Sequence, residues 1–123
     1  MPIIEPEYDI TAADRAEGEA ILLAEITRHL DALPEGQQVM LKLSIPATAG
    51  LYTPLVSHPK VLRVVALSGG FSTDDACSRL GQNPGMIASF SRGLLQDLRK
   101  TQSDSQFNAV LGKAIDQIAS ASV

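Results

Sequence analysis

The stretch "QQVMLKLSIP", residues 37–46, sets Lys42 among Val39, Met40, Leu41, Leu43 and Ile45. An ammonium buried in such surroundings either loses its proton or finds a carboxylate. Once deprotonated, a lysine amine attacks carbonyl carbon, the opening step of imine (Schiff-base) catalysis. Carboxylates suited to moving the protons stand in "PIIEPE", where Glu5 and Glu7 are two residues apart and share one side of a strand. Glu5 reads as the acid/base and Glu7 as the charged neighbour that orients it. The plain alternative is a lysine at a sheet edge whose stem carries its charge to water, beside a solvated strand end.

Two further segments suit an anion. "LSGG", residues 67–70, runs into "FSTDD", a glycine turn leading to a helix N-terminus where backbone N–H groups can cradle phosphate through Ser68, Gly69 and Gly70. "SFSRGLL", residues 89–95, offers Ser91 and Arg92, the latter as a charge-assisted clamp.

These residues need elements to position them. Short apolar runs predict strands over 2–5, 38–44, 61–68 and 86–91. Helical spacing over 14–33 draws a stripe through Ala16, Ala20, Leu23, Ile26 and Leu30, with "PEG" as its stop. A shorter helical turn is expected over 49–57. A third helix opens at Ser72 as N-cap and closes at Gly81, and a last one runs over 104–122. Alternating strands and helices imply a parallel α/β sheet, and strands apolar on both sides imply cover on both faces. Glu5, Glu7, Lys42, Ser68, Ser91 and Arg92 then share one rim, at the C-terminal strand ends where parallel α/β folds keep their chemistry. A small doubly wound sheet and half of an eight-stranded barrel both satisfy this pattern.

Composition narrows the classes. The 123 residues suffice for one domain, 1–123, with a core of its own. A formal charge of −4 argues against nucleic acid or an anionic membrane as partner. No apolar run approaches the roughly 20 residues of a membrane span, and the N-terminus lacks a signal-peptide pattern. Cys77 is the single cysteine, so no internal disulfide or cysteine metal cluster forms; His29 and His58 have no ligand spacing and are expected on the surface. No metal and no cofactor is expected, and a reducing cytoplasm is the expected compartment.

Taken in order, "PIIEPE", "VMLKLSIP", "VVALSGG" and "IASFSRGLLQDLR" resemble the C-terminal half of class I fructose-bisphosphate aldolases of the bacterial branch, over essentially all 123 residues. The resemblance implies strands five to eight of a TIM-type (β/α)8 barrel. It also implies a metal-independent lyase of glycolysis that interconverts fructose 1,6-bisphosphate with dihydroxyacetone phosphate and glyceraldehyde 3-phosphate. Matched motif by motif, Lys42 corresponds to the Schiff-base lysine, Glu5 to the proton acceptor and Glu7 to its neighbour. Ser68, Gly69 and Gly70 of the glycine turn, with Ser91 and Arg92, correspond to the phosphate site. The family's first-strand aspartate and its lysines on the third and fourth strands have no counterpart here. The expectation is therefore a truncated half with two open sheet edges and a bare inner face. Such a half associates with a second copy or with an N-terminal half. The alternatives are a non-catalytic half-barrel that binds phosphorylated sugars or partner chains, and an unrelated small α/β binding domain.

Overall fold

A computed structural model describes all 123 residues. The elements run β1 (Ile3–Ile4), α1 (Arg15–Asp31), β2 (Val39–Ser44), α2 (Thr53–Val56), β3 (Val61–Leu67), α3 (Thr73–Leu80), β4 (Met86–Ala88), α4 (Arg92–Leu95) and α5 (Asp104–Ala121). All strand pairs are parallel and the sheet order is β1-β2-β3-β4. Strands laid down in sequence, without the reversal that marks a doubly wound sheet, are compatible with half of a TIM barrel.

The core explains the order. Leu41, Leu43 and Ile45 of the β2 segment, Val64 and Ala66 of β3 and Met86 of β4 face Leu30, Leu55, Ala76, Leu80 and Ala121 from the helices. The intervening residues, Met40, Lys42, Val65 and Ile87, take the other face by period-two alternation and register. The buried core thus lies on one side of the sheet, and the expected cover on both faces is not found. Met40, Lys42 and Ile87 keep partial exposure.

Helix limits follow local chemistry. Ser72 caps α3 by accepting the Asp75 N–H, and Ser103 with Gln106 forms a complete capping box at α5. Gly81 ends α3 in an ordinary right-handed conformation, so its lack of a side chain is not what stops the helix. The single turn of α4 is absent from the sequence-based reading, since four residues are too few to show a helical period.

The stripe expected along α1 is corrected at its start. Ala16 and Ala20 are exposed, and the buried positions are Arg15, Glu19 and Leu30, with Leu23 and Ile26 packed on the core. Arg15 Nε donates to Glu19 Oε1 at 2.7 Å, and its Nη2 donates to the Ile45 carbonyl. Glu19, fully buried, accepts the Ala47 N–H through its second oxygen at 2.7 Å. The pair thereby ties α1 to the end of β2 and satisfies itself. The hydroxyl of Tyr52, also buried, has no partner. Desolvation, and next the Glu19 carboxylate, push its pKa well above the ordinary value.

Neither sheet edge is the open ladder expected of a half-barrel. β1 is only two residues long, and with the Met40 N–H donating to the Pro2 carbonyl, Ile3 alone turns its backbone groups to the outer edge. Along β4, the Gly85 N–H donates to the Val123 carbonyl at 2.7 Å, Met86 to Asn83, and Ala88 to Ser122 Oγ at 3.0 Å. His58 is corrected too. It is almost covered, with Nδ1 accepting the Lys60 N–H and Nε2 lying 3.2 Å from Asp31 Oδ1.

Two outcomes are expected. Glu19→Ala leaves a buried guanidinium unpaired and costs about 3–5 kcal/mol in urea unfolding, a large share of the stability of a domain this size. The protein has two tyrosines, Tyr8 and Tyr52, and both are raised, Tyr8 by partial desolvation and then by Asp14. Ultraviolet titration of the folded chain therefore places both midpoints above those of the denatured chain, which lie near the usual pH of about 10. Since the fold keeps protons that the unfolded chain has released, stability from this source is intact below that pH and is lost as pH rises beyond it.

Candidate active site

The β2 strand sends Leu41 and Leu43 into the core and thereby turns Lys42 to the opposite face, towards the rim. The burial expected of this lysine is not found: its side chain is 27% exposed and that of Glu5 is 47% exposed. Lys42 Nζ instead donates to Glu5 Oε2 at 2.7 Å. An ion pair open to water on both sides is worth at most about 1 kcal/mol, so its geometry matters here more than its stabilisation.

Beside this pair lies a cleft of about 130 Å³ lined by Glu7, Lys42, Leu67, Ser68, Gly69, Ser89, Ser91 and Arg92. Five of the residues expected from the sequence, Glu7, Ser68, Gly69, Ser91 and Arg92, thus converge on Lys42. Glu5 joins through its bond to the ammonium. Gly70 does not line the cleft; it is exposed at φ +98°, against Ile10. Ser89 lines it and was not anticipated, because a lone serine in "IASFS" carries no pattern of its own.

The groups expected to hold an anion differ in one respect from expectation. The start of α3 is already occupied: the Thr73 N–H donates to Gln96 Oε1 at 2.9 Å and the Asp75 N–H to Ser72. Asp74 and Asp75 in that first turn also repel anions. The amides of Gly69 and Gly70 make no hydrogen bond within the chain. Gly69 adopts φ +63°, and a Cβ there would press on Ile10, so this turn requires glycine. Arg92 is exposed and makes no ion pair, which leaves its guanidinium available. The polar cradle is therefore the Ser68–Gly69 turn with Ser91 and Arg92, and not the helix end.

A wider groove of about 440 Å³ adjoins the cleft, sharing Lys42, Ser89 and Ser91 with it and lined further by Phe90, Leu94, Ile115 and Ile118 among others. The lysine sits where a polar cleft and an apolar groove meet. An amine with a carboxylate at 2.7 Å and an anion cradle within one cleft can bind a phosphorylated carbonyl compound and exchange protons with it.

No family model matches the chain. A fructose-bisphosphate aldolase class 1 from Synechocystis sp. (strain ATCC 27184 / PCC 6803 / Kazusa) is 49% identical to it over 123 residues, the whole chain. The chain resembles class 1 fructose-bisphosphate aldolase. It spans 41% of the length of that curated aldolase. No helix is long and apolar enough to cross a membrane.

Because the Lys42–Glu5 pair is open to water, Glu5→Ala is expected to change unfolding free energy by no more than about 1 kcal/mol. Urea titration beside the Glu19→Ala variant checks this. A loss matching that of Glu19→Ala would show that Glu5 supports the fold rather than the site.

Proposed function

We propose that this chain contributes strands five to eight of a class I fructose-bisphosphate aldolase barrel, with Lys42 as the imine-forming lysine. One observation carries the reading: Lys42 contacts Glu5 at 2.7 Å on the wall of a cleft that also holds Glu7, Ser68, Gly69, Ser91 and Arg92. The 49% identity to an aldolase over the whole chain supports it.

The residues divide the work. Glu5 lies within hydrogen-bond reach of the Lys42 amine and is the group placed to carry protons to and from its nitrogen as the imine forms. That amine attacks the ketone carbon of dihydroxyacetone phosphate. The new C–N bond forms as the carbonyl oxygen gains a proton, and the oxygen leaves as water when the imine forms. Glu7 keeps the second carboxylate within reach of the same carbon. Arg92, the Ser68 and Ser91 hydroxyls and the Gly69 amide hold the phosphate, and no metal enters the scheme. In the cleavage direction the C3–C4 bond of fructose 1,6-bisphosphate breaks. Its electrons pass into the iminium, and a carboxylate removes the C4 hydroxyl proton as glyceraldehyde 3-phosphate departs.

The substrate-facing side of the sheet is open in this chain, and the chain spans less than half of the aldolase it matches. Turnover is assigned to the assembly in which that side is covered, by a second copy or by the other half of a barrel, acting in glycolysis in the cytoplasm. Imine formation is assigned to this chain.

Borohydride reduction with dihydroxyacetone phosphate is expected to add one ligand mass to the peptide carrying Lys42, and none in Lys42→Ala. Arg92→Ala should raise the half-saturating concentration of dihydroxyacetone phosphate by about 10–100-fold, the equivalent of about 1.5–3 kcal/mol, and leave that of dihydroxyacetone unchanged. Label on Lys60 or Lys113 instead would sink the assignment, and equal effects on both ligands would move the phosphate site elsewhere. Label in the sized chain with no cleavage of fructose 1,6-bisphosphate would favour the non-catalytic half-barrel.

A further inference from the structure

The segment after β1 cannot continue its ladder. Regular pairing with β2 ends at Ile4, and Pro6 has no N–H to donate. β2 nevertheless runs on to Ser44, and there its side chains take over the pairing. Lys42 Nζ reaches Glu5 at 2.7 Å. Ser44 Oγ accepts the Tyr8 N–H at 2.9 Å and donates to the Tyr8 carbonyl at 2.9 Å. Lys42 and Ser44 are two residues apart on one face of β2, so both reach the segment that follows β1. The Ser44 hydroxyl is buried, and both its proton and a lone pair are committed to Tyr8. Tyr8 is held from the other side as well, because its ring occupies the space where any side chain at Gly18 of α1 would stand.

We propose that Ser44 is the positioning residue for the two carboxylates. It anchors the segment at Tyr8, so that Glu5 stays on the lysine and Glu7 stays on the cleft wall. A half-exposed ion pair is too weak to order this segment by itself, whereas a buried hydroxyl that satisfies both backbone groups of one residue is enough. The inference rests on the imine reading above for its kinetic arm and on geometry alone for its structural arm.

The test compares the parent chain with Ser44→Ala, which loses both bonds, and Ser44→Thr, which keeps the hydroxyl. Dihydroxyacetone phosphate and cyanoborohydride serve as probe, with Lys42 labelling followed by mass spectrometry. Ser44→Ala should lower the maximal labelling rate at least fivefold and leave the half-saturating concentration within twofold, because the phosphate cradle is untouched. Ser44→Thr should recover most of the rate. In parallel, nuclear Overhauser contacts between the Lys42 and Glu5 side chains, and exchange protection of the Tyr8 amide, should vanish in Ser44→Ala and persist in Ser44→Thr. Should the alanine variant not fold, Ser44→Cys, with a poorer hydrogen-bonding group of similar size, takes its place. Undiminished labelling in Ser44→Ala, or Lys42–Glu5 contacts that survive there, would overturn the proposal. A rate loss matched by an equal rise in half-saturating concentration would also overturn it. An unlabelled parent chain would overturn the imine reading, and Ser44 would then be judged by the Overhauser contacts alone.

Discussion

The side-chain alternation of β2 is the constraint on which the rest depends. Val39–Ser44 pair with β3 along the whole strand, and Met40 and Leu41 pair with β1 on the other side, so the strand has no freedom to rotate. Once Leu41 and Leu43 are committed to the helical side, Lys42 and Ser44 must face the other way. A one-residue slip would bury an ammonium and expose two leucines, an exchange no partner in this chain offsets. Core packing therefore aims Lys42 at the cleft, and the lysine needs no separate device to orient it.

A second constraint acts where β2 leaves the sheet. Arg15 and Glu19 place an ion pair under the Ile45–Ala47 turn, and the backbone there gives a carbonyl to one and an N–H to the other. A guanidinium and a carboxylate cost much to dehydrate, and here each has a backbone partner as well as the other. Phe71 adds a face for both Arg15 and Arg79, at 5.7 and 4.5 Å from the ring centroid. This links α1 to the turn before α3, and so to the Ser68–Gly69 turn that lines the cleft.

Much of this was legible in the sequence. β2, β3 and the long helices follow from periods of two and 3.6 within residues that also bury, and five of the expected site residues share one cleft with Lys42. What escaped has definite physical causes. The α1 stripe was read through Ala16 and Ala20 because alanine is apolar, whereas a paired Arg and Glu four residues apart bury more completely. The spacing from Arg15 to Glu19 was the available signal. Lys42 was expected to be buried because its sequence neighbours are; those neighbours bury towards the other face. The first turn of α3 looked like an anion site until Gln96, 23 residues away, took its Thr73 amide. Long-range hydrogen bonds of that kind leave no local trace.

The state of the two sheet edges has a consequence for solution behaviour at high concentration. Stacking of sheets into a fibre is a chain reaction that needs two live ends on every monomer, a donor row and an acceptor row. Along β4 the outward amides of Met86 and Ala88 are already engaged by the chain itself. β1 presents only two residues between prolines. Each edge of the sheet thus offers few free backbone groups to a neighbouring strand, and edge-to-edge addition has little to build on.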